Sequence, residues 1–74
     1  MKNNIASERK RMGLSQADLA DEFHTTRDII KNFENGTTPI KSNMLEDLAD
    51  YFGCSIDYLM GRCDDRVSHL RMVG

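Results

Sequence analysis

Apolar residues recur along this chain at intervals of three and four, and no run alternates as a half-buried strand would, so the pattern predicts helices throughout. The clearest stripe is Leu45, Leu48, Ala49 and Phe52, the i, i+3, i+4, i+7 spacing of a helix laid on a core. Ser42 is its expected N-cap and Gly53 its stop; a competing start puts Thr38 at the cap and Pro39 at the first helical position. Nearer the N-terminus, Ile5, Arg9 and Met12 mark a helix over residues 3–12, capped by Asn3 or Asn4 and ended by Gly13. Ser55 is placed to cap a short helix, Ile56 to Met60, closed by Gly61 and burying Ile56 and Leu59. Beyond it, Val67, Leu70 and Val73 follow Asp64 and Asp65 at spacings that suit either a short extra helix or a frayed end.

The stretch from Ser15 to Gly36 reads as two short helices joined by a tight turn. Ser15 caps the first, Gln16 to about Phe23, with Leu19, Ala20 and Phe23 on one face and Leu14 packing back as a hydrophobic staple. Thr26 caps the second, to about Asn35, with Ile30 and Phe33 pointing one way and Asn35-Gly36 closing it in a left-handed turn. Helices of about eight to ten residues are unstable alone, so both must bury their apolar faces. That leaves Arg27, Asp28, Ile29, Lys31 and Asn32 outside, and the function rests on that face.

A chain of 74 residues allows one domain, placed at residues 1–61, with 62–74 as a tail. Cys54 and Cys63 make no disulfide framework, and no apolar leader or membrane-length run is present, so the expectation is a cytoplasmic protein with reduced thiols, Cys54 filling core. The net charge of -2 argues at first against a nucleic-acid partner. Its distribution softens this: residues 1–41 hold seven Lys/Arg against six Asp/Glu, for +1, and residues 42–74 hold three against six, for -3. The first half is the better DNA face, with weak non-specific affinity expected.

Several pieces stand in a telling order: Arg9 and then Gly13-Leu14-Ser15-Gln16; Leu19-Ala20; Ile30, Phe33 and Glu34-Asn35-Gly36; Leu48-Ala49-Asp50 with Phe52; and Ser55-Ile56-Asp57-Tyr58-Leu59 with Gly61. Singly they are weak, but together, from Ile5 to Gly61, they resemble the five-helix DNA-binding domain of the phage repressor and Cro-like proteins, the XRE family of helix-turn-helix regulators. The resemblance implies an all-α, compact, repressor-like domain in which helix three enters the major groove. It implies a phosphate contact for Gln16, base reading by Arg27, Asp28 and Asn32 with Ile29 facing the groove between them, and a structural tie between Arg9 and Glu34. Three departures stand out. His24 occupies the turn position that is usually Gly, at an expected strain of about 1 kcal/mol. Glu8 stands where the family usually has Leu, which puts a charge near the core edge. The Pro39 loop is offset by one residue from the commonest pattern.

A helix fits the major groove, where each base pair presents a distinct pattern of donors and acceptors. Arg27 suits a bidentate contact to guanine O6 and N7, or a phosphate; Asn32 suits adenine N6 and N7, or plain solvation. Asp28 can accept from cytosine N4, but a carboxylate in a first turn is also favoured by the helix dipole alone. Ile29 either meets a thymine methyl or turns into the core beside Ile30. Gln16, Thr26, Lys31, Thr38, Lys41 and Ser42, with the N–H groups near Asn35 and Gly36, are the phosphate candidates, against ordinary exposed charge for the lysines. His24, His69, Cys54 and Cys63 lack metal-ligand spacing, and no phosphate loop, activated nucleophile or carboxylate pair is recognisable, so neither cofactor nor enzyme activity is expected.

The expected function is a sequence-specific regulator of transcription, most simply a repressor, that binds double-stranded DNA as a homodimer, since one small domain reads only a few base pairs. Ile56, Tyr58, Met60, Val67 and Leu70 are the dimer-contact candidates, or else they complete the monomer core. A ligand-sensing domain is not expected in 74 residues. The rival from another class is a protein-interaction module that keeps the fold without the DNA function, for which the net negative charge and Ile29 argue.

Overall fold

The computed structural model describes residues 3–63 and residue 66 of the chain. These form five helices: α1 (Ile5–Arg11), α2 (Gln16–Glu22), α3 (Arg27–Asn35), α4 (Ser42–Phe52) and α5 (Ile56–Leu59). The tail expected to add a sixth helix or fray lies outside the described residues, apart from Arg62, Cys63 and Arg66.

Polar side chains begin these helices much as the sequence predicts, with two shifts. Ser15 accepts from the Asp18 N–H while Asp18 accepts from the Ser15 N–H, a reciprocal capping box. Thr26 accepts from the Ile29 N–H and Ser55 from the Tyr58 N–H. Asn4 takes the cap position of α1 without capping it; Asn3 accepts from the Ile5 N–H instead. Freed from capping, Asn4 donates to the Tyr58 carbonyl at 2.7 Å and Asn3 to the Phe33 carbonyl at 2.8 Å, which stitches the start of α1 to α5 and α3. Ser42 is not the cap of α4. Lys41 occupies that position with no side-chain bond, and Ser42 is the first helical residue. The alternative start at Thr38 is not used, and Thr38 to Lys41 precede the helix as non-helical chain.

All five helices end in one motif, in which the N–H of a left-handed residue and that of its successor return to carbonyls in the last turn. At α3 the Gly36 N–H bonds the Phe33 carbonyl and the Thr37 N–H bonds that of Asn32. Gly13, Gly36, Gly53 and Gly61 supply the positive φ at four ends, and His24 supplies it at the fifth with φ 55°. The strain expected at the α2–α3 turn is therefore present. Phe23, expected inside α2, is its C-cap and rests edge-on against Tyr51 at 5.3 Å.

Ile5, Leu19, Ile30, Leu48 and Leu59, one from each helix, are fully buried at the centre, each contributing about 1.5–3 kcal/mol. Cys54 joins them as core, its thiol pKa pushed up by burial and then by the charge of Glu8.

Glu8 is the unexpected member of this interior. The departure from Leu puts a carboxylate not at the core edge but inside it, at 2 % exposure. Three side chains answer it: Arg66 with Nε and Nη2 at 3.0 and 2.6 Å, Arg11 at 3.0 Å and the Tyr58 hydroxyl at 3.2 Å. Both arginines also donate to the Phe52 carbonyl, and the Ser55 N–H donates to the Arg66 carbonyl. Burial by itself would raise the Glu8 pKa, but the bonds and charges of Arg66 and Arg11 hold it below its ordinary value. Burial and the negative charge of Glu8 push the Tyr58 phenol up. The chain beyond α5 is thus pinned at Arg66 to α1, α4 and α5.

Candidate nucleic-acid interface

Helices α2 and α3 pack against each other by Leu19 and Ala20 on one side and Ile30 and Phe33 on the other, all buried. The turn between them is set by His24, after which the Thr25 N–H bonds the Ala20 carbonyl at 2.9 Å. Because Ile30 and Phe33 take the inner face of α3, the positions between them must face outward. Arg27, Asp28, Ile29, Lys31 and Asn35 are exposed and Asn32 is half-buried. The structure thus brings the sequence-predicted readers to one helix face. Ile29, which had two possible directions, is 38 % exposed and does not join Ile30 in the core.

The far end of α3 is tied to the other two N-terminal helices. Glu34 accepts from Arg9 Nε at 2.6 Å and from Nη2 at 3.4 Å, with both side chains nearly buried. Arg9 Nη1 also donates to the Leu14 carbonyl at 2.8 Å, so the expected tie extends to the α1–α2 loop. The second Glu34 oxygen, Oε1, accepts from Gln16 Nε2 at 2.9 Å. Sequence reasoning missed this bond, because 18 residues separate the pair and neither is unusual by itself.

The remaining phosphate candidates lie at or just before the starts of α3 and α4 and at the end of α3. Thr26 is exposed at the start of α3, its oxygen accepting from Ile29 while its O–H is left to donate. Lys41 and Ser42 are exposed at the start of α4 and Thr38 is half-buried before it. The Gly36 N–H, expected to be available, is engaged by the cap of α3, which leaves the exposed Asn35 side chain as the donor there. The dimer candidates lie elsewhere. Ile56 and Tyr58 pack on the core, Met60 is half-buried just past α5, and Val67 and Leu70 lie outside the described residues. Among the described residues no helix is long and apolar enough to cross a membrane.

A helix-turn-helix family model matches residues 5–59 of this chain. The Competence pilus inhibition repressor of Acinetobacter baylyi is 43% identical to it over 51 residues, which cover 69% of this chain and 46% of that protein. The chain thus spans about half the length of this curated relative. No solved structure matches it at a significant level.

Proposed function

This chain belongs to the XRE family of helix-turn-helix DNA-binding domains, and we propose that it is a sequence-specific repressor of transcription acting on an operator as a symmetric pair of copies. The observation that carries the reading is the outer face of α3: Arg27, Asp28, Ile29, Lys31 and Asn32 are displayed on a helix whose inner face is locked by Ile30 and Phe33 and whose end is held by Arg9 and Glu34. Rigid presentation of such a face is what groove reading requires, since each base contact depends on a bidentate geometry. The similarity to a named repressor supports the sign of regulation.

In this reading Arg27 contacts guanine and Asn32 contacts adenine. Ile29 meets a thymine methyl, for which its exposure argues, and Asp28 accepts from cytosine or repels wrong sites. Gln16, Thr26, Lys31, Asn35, Thr38, Lys41 and Ser42 fix register on the phosphates. Two copies sit on half-sites about one helical turn apart, meeting through the α5 side where Ile56, Tyr58 and Met60 lie, with Val67 and Leu70 as further candidates. The work is done in the cytoplasm on double-stranded DNA, without a cofactor.

Titration of a labelled random duplex at falling salt tests this. A DNA binder shows affinity rising along a log–log salt slope of several units, and selection from a random pool then returns a two-fold symmetric site. Undetectable binding at roughly 50 mM salt would sink the reading and favour a protein-interaction module, for which the net charge of -2 and the exposed Ile29 are the arguments.

A further inference from the structure

We infer that Glu34 is a positioning residue for DNA contact, holding the Gln16 amide so that its second N–H is ready for a backbone phosphate. The inference rests on the regulator reading above. A carboxylate only accepts, so the bond at 2.9 Å requires Nε2, not the amide oxygen, to face Glu34. Nε2 carries two hydrogens, and one of them is used. Among the described residues nothing else bonds the amide, and Gln16 is only half-buried, so the other hydrogen is left without a protein acceptor on a side chain that is not enclosed.

Glu34 in turn cannot swing, because Arg9 holds it at 2.6 Å and is itself held by the Leu14 carbonyl at 2.8 Å. One chain of bonds therefore runs from α1 through the end of α3 to the start of α2. Arg9 has a second effect: it offsets the Glu34 charge, which beside a phosphate would otherwise repel. Glutamine has a long side chain with many rotamers, and ordering it before binding is worth about two- to tenfold in affinity.

A double-mutant cycle on duplex affinity reads this out, at a temperature where circular dichroism shows every variant folded. Gln16→Met, which keeps the shape and removes the donor, is expected to weaken specific and random duplex alike, by about tenfold. Glu34→Gln is expected to weaken both by about two- to tenfold, and the double variant to bind no worse than Gln16→Met alone. Losses that multiply would overturn the inference and leave Glu34 only its bond to Arg9. Should Glu34→Gln fail to fold, side-chain relaxation of Gln16 in the wild-type protein decides: an order parameter above about 0.8 for Nε2 is expected, and one below about 0.6 overturns the inference. A wild-type protein that binds no duplex removes the regulator reading and this one together, a result set apart because it leaves Gln16 ordered.

Discussion

Glu34 and Glu8 are both carboxylates withdrawn from water beside arginines, with side chains 7% and 2% exposed, yet their settings differ in a way that decides what each does. Glu34 faces one arginine, Arg9, which is itself only 11% exposed, so the loss of either strands the other in the interior. Glu8 faces two, Arg11 at 49% and Arg66 at 33%, whose guanidinium groups turn in to the carboxylate and to the Phe52 carbonyl from side chains that are themselves partly in solvent. Remove Glu8 and both arginines can turn outward; remove an arginine and the buried charge stays. Glu34 joins α1, α2 and α3 beneath the exposed face of the third helix. Glu8 joins α1, α4 and α5 and fastens the chain beyond them. A buried charge is thus a keystone in one place and a clasp in the other, according to which partner can escape to solvent.

The largest expected effect separates the two outright. Glu34→Leu should cost about 3–5 kcal/mol in a denaturation experiment, because Arg9 is left buried without its partner. A loss below about 1 kcal/mol would show that Arg9 escapes as easily as Arg66, and the contrast would collapse. On the other side, Arg66→Ala should cost about 2 kcal/mol, and adding Glu8→Leu should return the protein to within about 1 kcal/mol of wild type, since an apolar side chain there has no charge to satisfy. If the double variant is as unstable as the single one, the clasp acts through the Phe52 and Ser55 backbone bonds instead.

The same clasp sets a pH dependence. The Glu8 pKa is lowered in the folded protein from an ordinary value near 4.5, so its contribution is fully present above that pH and is lost as the pH falls through the lower folded value. The melting temperature of the wild type should therefore fall more steeply below about pH 4.5 than that of the Glu8→Leu, Arg66→Ala double variant, and parallel curves would deny Glu8 this role.

Arg27 sharpens the comparison from the recognition side, as an exposed charged residue without a bond to the scaffold among the described residues. Arg27→Ala should weaken specific binding by about 1–3 kcal/mol and relax one base position while leaving the melting temperature unchanged; an unaltered set of selected sites would show that Arg27 reads no base. The smallest effect belongs to the turn. His24→Gly should raise stability by up to about 1 kcal/mol, a few degrees in a domain of this size, by relieving the one non-glycine residue at positive φ among the described residues. A lower melting temperature would mean that the His24 side chain makes a contact worth more than the strain.

Much of the fold is determined locally, and so the sequence alone was enough to place it. Helical spacing selects Leu19, Ile30, Leu48, Phe52 and Leu59 for the core, and Ser15, Thr26 and Ser55 start helices because the bond each makes lies three residues away. The outer face of α3 follows from the same periodicity, and the family pattern supplied the Arg9–Glu34 tie. Other features could only be decided in three dimensions. Glu8 was legible as an anomaly, a charge where Leu is usual, but its answer lies 58 residues away in a segment that sequence reasoning set apart as a tail. Gln16 looked like a residue facing DNA alone until the end of α3 was brought beside it. The cap of α4 is Lys41 rather than Ser42, and it makes no side-chain bond that the sequence could have signalled. Periodicity and capping are properties of neighbours along the chain, whereas the satisfaction of a buried charge depends on which distant donors the packing delivers.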